Sequence, residues 1–161
     1  YDRRRISPWL MVLTVIAFTV LSIAQARAET TAAFCTRVGD DTSLRPIPAS
    51  LVPIVNALFG IKMSPDEAVA TTVFRCVNGH VLVCTVGANL PCGPANTSRV
   101  PKPGVEDWCR DSPDVAYIPA AVVGHDTIFA WQCRGGVPRI VRQVFVVDNQ
   151  GFIKQFWKRV R

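Results

Sequence analysis

The chain has 161 residues, 49% of them apolar and 19% charged, with twelve prolines, ten glycines, six cysteines and two histidines. Part of its net charge of +6 belongs to the N-terminus: residues 1–28 hold four arginines and one aspartate, so residues 29–161 carry 14 basic and 11 acidic groups, or +3. That remainder suits one domain with a modest core, and without basic residues gathered on a recognisable module it speaks against nucleic-acid binding.

Arg3, Arg4 and Arg5 precede an uncharged apolar run from Trp9 to Ala24, and Ala26-Arg27-Ala28 follows it. A basic start, an apolar centre and a small-x-small ending are the parts of a secretory signal. The run is long for a signal core of about 7 to 15 residues and short for a membrane span of about 20. Two outcomes follow. Cleavage after Ala28 leaves a soluble domain starting at Glu29. Retention leaves a single transmembrane anchor built from Trp9, Leu10, Val12, Leu13, Val15, Ile16, Phe18, Val20, Leu21 and Ile23, with the arginines on the cytoplasmic side. In both cases residues 29–161 are expected as a periplasmic, disulfide-rich α+β domain, free or anchored in the bacterial inner membrane.

Within that domain the expected architecture is short helices followed by a small antiparallel sheet of hairpins, the change falling near Thr71. Leu51, Ile54, Val55 and Leu58 recur at helical spacing between Pro48 and Phe59, with Gly60 placed to cap the helix and Pro53 limiting its start. Ser64-Pro65-Asp66-Glu67 reads as a capping box that starts a short helix at Pro65 and turns Ala68 and Val69 inward. From Thr72 to Val86 the residues become β-branched and aromatic around Asn78-Gly79, a type I′ hairpin signal. That turn sets Val77 against His80, Cys76 against Val81 and Val73 against Cys84. Cys76 and Cys84 therefore fall on opposite faces and do not bond to each other.

Residues Gly87 to Pro113 are rich in proline and glycine and read as a loop with a short helix at Val105 to Arg110. A meander is expected after it: strands at Thr127 to Cys133, Arg139 to Val147 and Phe152 to Val160, with turns at Gly135-Gly136 and Asn149 to Gly151. Pro138 makes the middle strand an edge or delays its start. An aromatic-x-Cys-x-x-Gly pattern occurs twice, at Phe74 to Gly79 and at Trp131 to Gly136.

Cys35, Cys76, Cys84, Cys92, Cys109 and Cys133 all follow the hydrophobic run, and an even number in an exported chain favours three disulfides out of fifteen connectivities. The loop argues for Cys92–Cys109. If the two hairpins share a sheet, Cys76 and Cys133 also come together. With no Cys-x-x-Cys pair and with His80 and His125 standing alone, no metal, cofactor or redox-active thiol is expected.

His125-Asp126-Thr127 is the best candidate for acid–base chemistry, yet neighbouring residues on a strand face opposite ways and local hydrogen bonding after Gly124 accounts for them more simply. Glu106, Asp107, Asp111 and Asp114 read as helix capping and solvation. Trp108, Trp131 and Trp157 read as packing anchors, and Lys154, Lys158, Arg159 and Arg161 as a solvated chain end. Asn96-Thr97-Ser98 matches a glycosylation sequon that bacterial-type export would leave unmodified.

GANLPCGPANTSR, IPAAVVGHDTIFAWQC and VDNQGFIKQFWK are similar to segments of a family of small uncharacterised exported bacterial proteins, over about Phe74 to Lys158. The resemblance implies a periplasmic location and no known activity. The cysteine-bearing hairpin also resembles periplasmic inhibitors of C-type lysozyme, but their serine- and glycine-rich inhibitory loop is missing and that function is not carried across. The expectation is a non-enzymatic accessory subunit with a protein partner in a membrane complex. The alternatives are a soluble binding or inhibitor module that inserts a loop around Gly87 to Pro103 into a partner, and a hydrolase using His125.

Overall fold

Thr30 starts the first helix by accepting a hydrogen bond from the Ala33 N–H at 3.2 Å, an N-cap that satisfies one of the free donors of the first turn. The computed structural model describes residues 28–87 and 91–161. The expected anchor from Trp9 to Ile23 lies outside these residues. Among the described residues no helix is long and apolar enough to cross a membrane.

The elements run α1 (Thr31–Val38), β1 (Asp41–Pro46), a 3-10 turn (Ala49–Leu51), α2 (Val52–Phe59), α3 (Pro65–Thr71), β2 (Thr72–Val77) and β3 (His80–Thr85). After them come α4 (Pro103–Asp111), α5 (Ala120–Val123), β4 (Phe129–Arg134), β5 (Val137–Gln143), a 3-10 turn (Lys154–Phe156) and β6 (Lys158–Arg159). This is a mixed α+β fold. Four antiparallel strands lie in the order β1-β2-β3-β6, and β4 and β5 form a separate ribbon.

Several local expectations are met. Ser64 Oγ accepts from the Glu67 N–H at 3.3 Å and α3 begins at Pro65, with Ala68 fully buried and Val69 half-buried. The β2–β3 register pairs Val77 with His80, Cys76 with Val81 and Val73 with Cys84. The stretch from Pro48 to Phe59 is divided instead of continuous, because Pro53 belongs in a first helical turn and α2 therefore starts at Val52. Val52 and Val55 are buried, whereas Ile54 turns outward and is 37% exposed.

The β2–β3 ribbon is covered on both faces. Phe74, Cys76, Val81 and Val83 pack with Cys35, Ile47, Val52, Val55 and Ala68 in one cluster. On the other face Val73, Leu82 and Cys84 pack with Cys92, Phe152, Phe156 and Trp157. A third cluster joins Val105, Cys109, Ile118, Trp131 and Cys133 around α4 and the β4–β5 ribbon. Residues 28–87 are here called lobe one, and residues 91–161 lobe two.

The cysteines bond as Cys35–Cys76, Cys84–Cys92 and Cys109–Cys133, spanning 41, 8 and 24 residues. Cys76 and Cys84 indeed point to opposite faces, and each bonds to what lies on its own side. The expected Cys92–Cys109 and Cys76–Cys133 pairs are both wrong. Cys92 follows Cys84 closely enough to close a short loop beside β3. The two hairpins occupy different sheets, so nothing draws Cys76 towards Cys133. Three disulfides point to an oxidising, extracytoplasmic setting.

The expected third strand of the meander is also corrected. Residues 154–156 form a turn, and Lys158–Arg159 leaves β5 to pair with Leu82 and Val83 of β3. The bend has a cause: Phe152 and Trp157, packed edge to face at 5.6 Å, enclose the guanidinium of Arg75, whose carbon lies 4.2 Å and 4.4 Å from their ring centres. Arg75 has no exposed surface.

Arg75 pairs with Asp148 and donates to Gln150 Oε1 at 2.5 Å. Gln150 in turn donates to Asp40 Oδ1 and to the Cys76 carbonyl, at 2.7 Å and 3.1 Å. Burial pushes the Arg75 pKa down and the charge of Asp148 pushes it back; a guanidinium remains cationic throughout the working range. Burial opposes the charge on Asp148, but hydrogen bonds from the Phe152 N–H, Arg75 and the Gln150 N–H, with the Arg75 charge, outweigh it and hold the carboxyl below its usual value.

The two lobes repeat one unit. In each, a helix carries an aromatic-Cys pair (Phe34-Cys35, Trp108-Cys109) whose cysteine bonds to the hairpin cysteine of an aromatic-x-Cys-x-x-Gly segment. The residue four after the helix cysteine supplies a carbonyl to the second turn residue: Gly39 to the Gly79 N–H at 2.7 Å, Pro113 to the Gly136 N–H at 3.0 Å. The next residue is an aspartate that accepts from the first turn residue: Asp40 from Asn78 at 2.9 Å, Asp114 from Gly135 at 3.0 Å. Ile-Pro-Ala-Ser-Leu-Val at 47–52 then matches Ile-Pro-Ala-Ala-Val-Val at 118–123, with Ile47 and Ile118 each only 1% exposed.

Candidate functional site

A cavity of about 280 Å³ opens in lobe two beside His125, walled by Ile118, Val123, Phe129 and Phe145, with Tyr117 and Arg142 at its lining. Gly124 shapes its rim. At φ +98° a side chain there is strained, and a Cβ would lie 2.5 Å from the Asp126 carboxylate and 2.7 Å from Lys102 Nζ. The absent side chain lets Asp126 meet Lys102 at 3.5 Å.

The three residues of His125-Asp126-Thr127 consequently go separate ways. Asp126 faces Lys102. Thr127 Oγ1 accepts from the Phe129 N–H at 3.3 Å and from Trp131 Nε1–H at 3.5 Å, holding the start of β4. His125 lines the cavity, and its Nδ1 is buried without a hydrogen-bond partner. Among the described residues no carboxylate is hydrogen-bonded to the imidazole.

The other expected residues also have structural employment. His80 Nδ1 lies 3.0 Å from Arg159, Asp107 pairs with Arg110 at 2.9 Å, and Asp114 holds the Gly135 turn; Glu106 and Asp111 are exposed. Trp131 and Trp157 are buried, whereas Trp108 is 37% exposed. The C-terminal cluster is divided: Lys158 donates to the Leu58 carbonyl at 2.7 Å and sits over Phe59, so only Lys154 and Arg161 remain as a solvated end. All six cysteines are in disulfides, and no cluster suited to a metal ion occurs among the described residues.

The expected inserting loop is tied down in its first part, whereas residues 97–100 are exposed and Val100 is 75% so. Cys92 is bonded to Cys84, the Ala95 N–H donates to the Gly151 carbonyl at 2.8 Å, and Asn96 pairs with Thr127. The Asn96 side chain accepts from the Ser98 N–H at 2.9 Å, closing an Asx turn.

The open surface lies on the β4–β5 ribbon. Trp131, Cys133 and Ile140 face the core, so the opposite face carries Ala130, Gln132, Arg134, Val137, Arg139 and Arg142, with Gln132 opposite Arg139 and Ala130 opposite Arg142. Arg134, Arg139 and Arg142 are exposed and none forms an ion pair with any described residue. No protein-family model matches this chain, and neither a curated protein nor a solved structure is found to be similar to it. The surface must therefore be interpreted from its own chemistry. No motif singles these arginines out, although the Gly135-Gly136 turn and the two-residue period place Arg134 and Arg139 on the face away from Trp131 and Cys133.

Proposed function

We propose that the chain is a non-enzymatic, extracytoplasmic binding module that serves as an accessory subunit of a membrane protein complex, with lobe one as its rigid support and the arginine face of lobe two as its contact surface. The supporting observation is the set Arg134, Arg139 and Arg142, which the fold leaves without counter-charges among the described residues. Arginine presents a planar fork of donors matched to carboxylates, and a partner that supplies them gains charge-assisted hydrogen bonds. Exposed Tyr117, Val137 and Val141 add apolar area around that charge.

The test is a photo-crosslinking residue placed at Val141 in the full chain, followed by mild-detergent extraction of native membranes. A defined crosslinked protein that disappears in R139E/R142E is the expected result. A chain that crosslinks to nothing, or equally well after charge reversal, overturns the reading. The same surface suits a soluble binding or inhibitor module if the N-terminal segment is removed, and the mass of the native protein separates the two: a terminus at Glu29 selects the soluble form.

A further inference from the structure

We propose that the outer edge of β5 is a docking site for an extended, acidic segment of a partner protein, which adds to the ribbon as a strand in the way β6 adds to β3. The proposal rests on the reading that lobe two makes the contact, and the repeat within the chain supplies its geometry.

In the lobe-one hairpin, β3 has β2 on one side and β6, which comes from lobe two, on the other: Leu82 and Val83 pair with Arg159 and Lys158, and the Val81 carbonyl accepts from the Val160 N–H at 3.0 Å. The corresponding residues of β5 are Pro138, Arg139 and Ile140, which pair with Cys133, Gln132 and Trp131 as Val81, Leu82 and Val83 pair with Cys76, Arg75 and Phe74. No described strand lies beyond them.

The direction of their backbone groups follows from β4. The Cys133 N–H donates to Val115 and the Trp131 carbonyl accepts from Ile118, so both residues point away from β5. In an antiparallel ladder, residues directly opposite each other point inward together or outward together. Pro138 and Ile140 therefore present their backbone groups to the open side.

Proline and charged side chains commonly protect a sheet edge from pairing, and Pro138 is the natural objection. Lobe one answers it. At the equivalent position Val81 uses only its carbonyl towards the added strand, and a proline retains that group. Ile140 keeps both an N–H and a carbonyl. The edge is closed to a long ladder but open to a short one of the β6 kind.

Charge selects the occupant. An added strand lies about 4.8 Å from β5 with alternate side chains on the arginine face, next to Arg139 and Arg142. Carboxylates at alternate positions complement them. A second copy pairing through the same edge would instead set these arginines against one another.

The experiment uses the full chain and, as probe, an end-capped octapeptide of alternating glutamate and valine, with amide exchange followed by NMR. In the free chain the Ile140 N–H should exchange at least about tenfold faster than that of Val83, which β6 covers. The peptide should slow Ile140 about tenfold or more, and R139E/R142E should lose this effect and acquire it towards a second end-capped octapeptide in which lysine replaces each glutamate. Protection of Ile140 already in the free chain overturns the proposal, with sedimentation showing whether a second copy or the chain's own residues 1–27 cover the edge. No binding at millimolar peptide, or binding that leaves Ile140 unprotected, also overturns it. If the Val141 crosslink persists in either case, strand addition fails while the contact function stands.

Discussion

The hairpin face of lobe one that carries Val73, Arg75, Leu82 and Cys84 is sealed by Phe152 and Trp157, whereas its counterpart in lobe two presents Arg134, Arg139 and Arg142 to solvent. Both hairpins hang from a helix by one disulfide and hold their turns with the same pair of backbone and aspartate bonds. The difference is therefore one of cover. Among the described residues the first copy of the repeated unit is closed on both faces and the second on one, and the proposed contact rests on that uncovered face.

The comparison breaks most sharply at Arg75 and its counterpart Gln132. Arg75→Ala leaves Asp148 largely buried without its counter-charge and should cost about 3–5 kcal/mol, while Gln132→Ala should stay within about 0.5 kcal/mol. Urea unfolding measures both, and equal costs would remove the distinction between a sealed and an open face. Next come the disulfides. Loop-closure entropy assigns about 4 kcal/mol to Cys35–Cys76 and about 3.5 kcal/mol to Cys109–Cys133, so the paired alanine variants should lower the thermal midpoint by similar amounts. Hydrogen exchange should show the loss concentrated in the lobe whose bond is removed.

Smaller effects test the equivalence of the turns. Gly79 and Gly136 have φ of +75° and +76° with no backbone atom closer than 3.7 Å to an added Cβ, so the cost of alanine is conformational. Each substitution should cost about 1–2 kcal/mol, and a twofold disparity in thermal unfolding would show that the turns are not alike. The smallest expected effect is a pH response. Asp148 has a folded-state pKa below its usual value of 3.8, so unfolding takes up a proton. Its stabilisation is fully present above about pH 4 and is lost as pH falls through the lower folded value. Asp148→Asn should flatten the acid side of the stability profile, and an unchanged profile would exclude Asp148 as its source.

Local chemistry made much of this fold readable. Asn78-Gly79 specified a register, Ser64 to Glu67 a helix start, and Val105 to Arg110 a helix within a loop, because each depends on neighbours only a few residues away. Other elements depend on distant partners. Strand β1, Asp-Thr-Ser-Leu-Arg-Pro, is too polar for a strand pattern and exists because it completes β2, while Lys158–Arg159 is recruited by the edge of β3. The disulfides went astray for the same reason: the helix that bears Cys35 was not anticipated, so Cys76 had no evident partner. The signal that would have helped was present in the paired Ile-Pro-Ala segments and the paired aromatic-cysteine dipeptides, which align Cys35 with Cys109.

The seat of Arg75 also has a consequence in time. Asp148, Gln150, Phe152 and Trp157 all come from the last fifteen residues, some 73 or more positions beyond the arginine they enclose. A chain that emerges N-terminus first can close the Cys35–Cys76 loop early, yet it has nothing to place over that guanidinium until its final turn arrives. Residues 148–157 thus close the core late: a chain cut short after β5 keeps every cysteine but has a cation where a core should be.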